Sequence, residues 1–154
     1  VIMRILFCCI LVLITACAGS KKTTVSVYEP EAIDMVQLQR TGCFGTCPIY
    51  KVAIFGNGIV AYEGKAYTDY EGKYMGQIDL DDAKKLFNTI HSLDWENYPA
   101  EYPIDNPDFP QFFINYKTTE IDKQVKGNTR AADDLISLSL EIDRIISTLN
   151  LRKQ

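Results

Sequence analysis

One histidine, no cluster of lysine and arginine, and no apolar run of membrane-spanning length: the 154-residue chain is defined first by what it has little of. Twenty acidic residues against sixteen basic ones leave a formal charge of −4. Binding to nucleic acid needs grouped Lys and Arg to neutralise phosphates, so nucleic acid is not an expected partner. The same deficit argues against electrostatic adhesion to anionic lipid. With His91 alone, a Ser-His or Cys-His nucleophile has a single candidate base. There is no Gly-rich phosphate loop, no Gly-x-Ser-x-Gly elbow and no His-Glu-x-x-His pair, so no cofactor or catalytic residue is assigned. What remains is 47% hydrophobic and 23% charged, the composition of a chain with a packed core and room for one domain.

The N-terminal stretch reads as an address. Met3-Arg4 supplies a short positive segment, with Met3 the natural start, and Ile5 to Ile14 is unbroken and apolar. A bilayer-spanning helix takes about 20 residues, so the run fits a signal-peptide core better than an uncleaved anchor. It ends in Ile14-Thr15-Ala16-Cys17, which resembles the bacterial lipobox: an aliphatic residue, two small ones, then Cys. Small side chains admit the peptidase, and only Cys offers a thiol to carry the diacylglycerol thioether. Ordinary secretion is the alternative, since Ala16-Cys17-Ala18 also has the form of a simple cleavage site. Residues 1–16 are therefore expected as a leader and Cys17 as the lipidated residue, holding the chain to membrane through its acyl chains. Cys8 and Cys9 leave with the leader, as small apolar residues. The polar run after Cys17 reads as a flexible tether through Ile33. In the sorting rule that the lipobox resemblance implies, Ala18, rather than an acidic residue, favours the outer membrane, facing the periplasm.

Beyond the tether the pattern is that of a single domain, residues 34–150, with a polar tail at 151–154. Met35 to Arg40, Ile49 to Phe55 and Ile59 to Glu63 read as strands, the last two joined by Gly56-Asn57-Gly58 as a type I′ turn. Tyr67 to Tyr70 and Lys73 to Ile78 read as further strands. A helix is expected from Asp79 to Asp82 onward, with Ala83, Leu86, Phe87, Ile90 and Leu93 on one face. Strands over Gln111 to Lys117 and Ile121 to Lys126 follow. A last helix, capped by Thr129, should bury Leu135, Leu138, Ile142, Ile145 and Leu149. The class is α+β: a single antiparallel sheet of about five to six strands with two helices on one face, in the order strands, helix, strands, helix.

The most distinctive stretch is Arg40-Thr41-Gly42-Cys43-Phe44-Gly45-Thr46-Cys47-Pro48-Ile49-Tyr50. With Gly56-Asn57-Gly58 and Tyr62-Glu63-Gly64, it resembles an uncharacterised bacterial family known only as a domain of unknown function. Its members look like small secreted or lipid-anchored proteins with Arg-x-x-Cys-Phe-Gly-x-Cys-Pro-x-Tyr. The layout extends from Met35 to Leu149, and the resemblance implies no catalytic residue. Three readings compete for Cys43 and Cys47. A structural disulfide suits an oxidising compartment and adds about 2 kcal/mol for so short a loop. A redox-active pair usually sits at a helix N-terminus with two residues between the cysteines, whereas here the spacing is longer and a strand follows. A metal site needs about four ligands, and His91 is the only other soft one. The disulfide is the expectation. Arg40 is expected to pair with a carboxylate, cover an aromatic ring, or simply end its strand.

Trp95, Tyr98, Tyr102 and Phe109 punctuate a connection that also carries Pro99, Pro103, Pro107 and Pro110. Long loops of this kind are often functional, so Trp95, Tyr98 and Tyr102 are candidate contacts for a protein, peptide or glycan partner. The alternative is that these rings roof the core. The loop's carboxylates lack the fixed separation that glycoside hydrolysis requires. The function expected from these features is a non-catalytic binding module anchored in the cell envelope. The rival is a thiol-disulfide redox protein using Cys43 and Cys47, and a third reading is a purely structural envelope lipoprotein.

Overall fold

The computed structural model describes residues 27–104, 106 and 108–154. The expected leader, Cys17 and the first part of the tether lie outside the described residues.

Seven strands form one antiparallel sheet in the order β6-β5-β1-β2-β3-β4-β7. They are β1 (Met35–Arg40), β2 (Ile49–Phe55), β3 (Ile59–Ala66), β4 (Gly72–Gln77), β5 (Phe112–Lys117), β6 (Asp122–Gly127) and β7 (Arg152–Lys153). Helix α1 (Leu80–His91) follows β4, and α2 (Asp133–Thr148) follows β6. The α+β class stands, with seven strands rather than five to six. The extra strand comes from the expected polar tail: Leu151 is buried and β7 pairs with Tyr74 and Met75 of β4.

Alternation explains which face is covered. Val36, Leu38, Val52, Ile54, Val60, Ile114, Tyr116 and Val125 lie on one side of the sheet, and all are buried. The period of two puts their neighbours on the other side. Both helices meet this apolar face: the Phe87 ring of α1 approaches Tyr116 at 6.5 Å, and Asp143 of α2 reaches Arg40, in register with Val36 and Leu38. Among the described residues, no helix is long and apolar enough to cross a membrane.

Local chemistry sets the boundaries. Asp79 caps α1, its carboxylate accepting from Asp81 N at 2.8 Å, and Ala83, Leu86, Phe87 and Ile90 are buried as their spacing requires. The β2–β3 hairpin forms where expected, but the positive φ falls on Gly58 (83°) and not on Asn57. A type I′ turn needs both, so this is a three-residue loop with the left-handed residue last. Thr129 does not cap α2, which starts at Asp133 after Ala132 without a side-chain cap. Its buried face is Leu135, Leu138, Ser139, Ile142 and Ile146, turned from the expected Ile145 and Leu149, which are only partly covered. Residues 67–70 are a bent loop rather than a strand, with Tyr67 at φ 56°.

The stretch expected as the end of the tether is held to the domain from Tyr28 onward. Asn88 of α1 grips its backbone twice, accepting from Tyr28 N at 2.7 Å and donating to Tyr28 O at 2.8 Å. The Tyr28 ring stacks on His91 at 3.9 Å, and its hydroxyl donates to the buried Asp34. The folded unit thus begins before residue 34, because a ring and two backbone groups find partners there.

Candidate functional site

The segment from Arg40 to Tyr50 leaves β1, turns, and re-enters the sheet as β2. Arg40 and Tyr50 are opposite each other in register, so both side chains emerge on the covered face. There they meet Asp143 of α2. The Arg40 guanidinium donates to Asp143 Oδ2 at 2.5 Å and to Ser139 Oγ at 3.1 Å, and lies 5.5 Å above the Phe112 ring centroid. Tyr50 donates its hydroxyl to the other oxygen, Asp143 Oδ1. Arg40 thereby pairs with a carboxylate and covers a ring, two of the roles expected of it.

The electrostatics follow from this arrangement. Burial pushes the Tyr50 hydroxyl above the usual phenol range, and the adjacent Asp143 carboxylate adds to the effect. Burial alone would lower the Arg40 pKa, but Asp143 outweighs it and raises it. At neutral pH the trio is therefore a satisfied arrangement of one cation, one anion and one neutral phenol.

Above the trio opens a cleft of about 780 Å³. Its floor carries Tyr50 and Tyr62, whose rings stack at 5.4 Å, and its walls come from Cys47-Pro48, the 67–70 loop and Leu140 of α2. Cys43 and Cys47 are joined as a disulfide, with Cα atoms 5.7 Å apart. This holds the turn beside the cleft in place. Strand β2 follows Cys47, so no helix N-terminus acts on its sulfur. His91 is engaged with Tyr28 and the Tyr116 hydroxyl, 3.1 Å away. Among the described residues there is no group of three His, Cys, Asp or Glu placed to hold a metal.

A family model described as a domain of unknown function (DUF6438) matches residues 34–146. The chain belongs to this family. No curated protein matches the sequence. The DUF6438 match takes in β1 through most of α2, and so every element that builds the cleft.

The aromatic loop takes a different place. Trp95 and Tyr98 are only 4% and 8% exposed and belong to the core. Trp95 donates Nε1–H to Ile90 O at 2.7 Å and packs on Tyr116, with centroids 5.1 Å apart. Tyr98 donates to Asp134 at 2.5 Å, and Tyr102 is partly buried against the same cluster. These three rings roof the core, the alternative that the sequence left open.

Two features of the site were missed from sequence. Asp143 reads as one more charge on a helix, although it sits four residues after Ser139 and beside Ile142, at the edge of the apolar face. The 67–70 loop reads as a strand because Tyr67, Thr68 and Tyr70 are residue types that favour strands. A larger groove of about 960 Å³ runs between α1 and α2 above Leu86, Leu138 and Ile145. Its rim charges already pair within their own helices, Lys85 with Asp82 and Arg144 with Glu141.

Proposed function

We propose that this DUF6438 chain is an envelope-anchored lipoprotein whose folded domain is a non-catalytic binding module. Its binding surface is the cleft between the disulfide turn, the 67–70 loop and α2. One observation carries this reading: exposed large apolar side chains gather around that cleft. Tyr67 and Leu140 line it at 56% and 59% exposure. Phe44 (90%) stands on the same disulfide turn whose Cys47 and Pro48 wall the cleft. Clustered exposed apolar groups mark surfaces that a partner covers. The floor supports binding over catalysis, because both oxygens of Asp143 and the Arg40 guanidinium already have partners.

The anchor rests on the lipobox-like Ile14-Thr15-Ala16-Cys17, and Ala18 supports the outer membrane facing the periplasm. Labelling with palmitate should be lost in Cys17→Ser; retained label at that position would contradict the anchor. For the module, crosslinking in intact cells should capture a protein, peptide or glycan partner with the native chain. Capture should fail with Tyr67→Asn combined with Leu140→Ala, at nearly unchanged thermal stability. Equal capture by the variant would overturn the reading.

A second reading, thiol-disulfide exchange at Cys43 and Cys47, draws on the exposure of the turn, where Phe44, Gly45 and Thr46 all face solvent. It requires reduction by mild thiols and turnover of a disulfide substrate. A bond that resists mild reductant, with no such turnover, removes it.

A further inference from the structure

Resting on the binding-module reading, we infer that the cleft takes a basic side chain, a lysine ammonium or an arginine guanidinium, presented by an apolar-flanked segment of a partner protein. The argument begins with charge. Arg40 is the one cation among the lining residues, and it is bound to Asp143, Ser139 and the Phe112 face. Asp69, also in the lining, is exposed and makes no hydrogen bond or ion pair among the described residues. An anionic ligand would meet an unbalanced carboxylate and no available cation. A basic group would meet its complement.

The rings beside Asp69 favour the same ligand. Tyr67 and Tyr70 flank it in sequence, and Tyr62 is close enough for the Asp69 charge to contribute to the raised pKa of its hydroxyl, behind the larger effect of burial. Aromatic faces attract cations through the ring quadrupole, and a carboxylate among them adds the opposite charge.

The loop that presents these groups is held in an unusual shape. Tyr67 is the one non-glycine residue at positive φ among the described residues, at 56°. A bulky side chain there is strained, and such residues persist where the surroundings impose them, often at functional positions. Here the imposing contacts are visible. Thr68 Oγ1 donates to Tyr70 O at 2.9 Å, and the loop folds down over Gly64. A Cβ at Gly64 would lie 1.8 Å from Tyr70 O and 2.6 Å from Thr68 Oγ1, so only glycine lets the loop seat. The result is a tyrosine held out in solvent.

The exposed apolar groups of the rim favour a peptide over a sugar. Leu140 is aliphatic and Phe44 stands free on the turn, and neither offers a hydroxyl a polar partner. Apolar side chains flanking a basic residue would cover both, as an interface core surrounded by polar groups does.

The probe is the pentapeptide acetyl-Leu-Pro-Lys-Pro-Leu-amide, titrated onto the full chain by calorimetry at low salt. Its controls are the same peptide with Glu in place of Lys, and the neutral glycan chitotriose. The lysine peptide should bind at least about tenfold more tightly than the glutamate peptide, with a preference that shrinks as salt screens the charges. Asp69→Asn should erase that preference without moving Tm, and Tyr67→Asn should weaken lysine-peptide binding. Equal affinities, a preference for glutamate, chitotriose as the tighter ligand, or no lysine-peptide binding at millimolar concentration each overturns the inference. Cellular capture separates the two levels. Loss with Tyr67→Asn and Leu140→Ala but full retention with Asp69→Asn keeps the binding surface and discards its charge preference. Retention with all three discards the surface itself.

Discussion

Two aromatic segments lie at the surface of this domain, and they turn opposite ways. The Pro-rich connection points Trp95 and Tyr98 inward, where each polar atom finds a fixed partner: Ile90 O for the indole, Asp134 for the phenol. The disulfide turn and the 67–70 loop leave Phe44 and Tyr67 outward, over a cleft whose floor is already satisfied. A buried ring with its hydrogen bond met serves stability. An exposed ring held by strain and a cross-link has no such explanation, and it is there that binding is expected. Composition alone cannot separate the two, because both segments are rich in aromatics and prolines or glycines.

Alkaline titration should produce the largest effect on both regions together. Tyr98 in the roof and Tyr50 in the cleft floor have pKa values raised first by burial and then by their carboxylate partners, and burial holds Tyr116 up at about 12. A folded pKa above the unfolded value of 10.0 means that the folded state retains its proton longer. The stabilisation is therefore complete below pH 10 and is lost as pH rises toward and past 12. Chemical denaturation across this range should show stability falling, and Tyr98→Phe and Tyr50→Phe should each flatten the fall. A flat profile in the native chain would break the account of both sites.

Trp95→Ala comes next, with a loss of about 3–5 kcal/mol for truncating a buried aromatic. Unchanged stability together with lost partner capture would reverse the roles of the two segments. Arg40→Ala should cost about 2 kcal/mol by denaturant titration. This is below the figure for a fully buried pair, because Arg40 and Asp143 keep 20% and 33% of their side chains exposed. A change under about 0.5 kcal/mol would mean that the pair is merely a surface contact.

How much of this was legible in the sequence depends on how far apart the partners lie. The strands around Gly56-Asn57-Gly58, the Asp79 cap and the Cys43–Cys47 bond are made by near neighbours, and the residue types show them. The direction of Trp95 depends on Tyr116, and the trio depends on Asp143, 103 residues from Arg40. No local pattern encodes either. The Tyr67–Tyr70 stretch reads as a strand because Tyr and Thr favour extended structure, while the deciding group is the missing Cβ of Gly64 on the neighbouring strand. Leu151 and β7 were overlooked because a two-residue strand is too short to show a period. The N-terminal boundary was set too late because Tyr28 is held by Asn88, 60 residues away.

The smallest expected effect is also the sharpest probe of the outward loop. Tyr67→Gly relieves the positive φ, so its thermal unfolding should show a gain of up to about 1 kcal/mol. A loss of more than about 1 kcal/mol would place the Tyr67 ring in the packing after all.

The most direct test of the central claim places a photoreactive group either at Leu140, beside the cleft, or at the exposed Pro99 of the Pro-rich connection, and irradiates intact cells. The account expects a discrete adduct from position 140 and none from position 99. An adduct from position 99 with none from position 140 would contradict it.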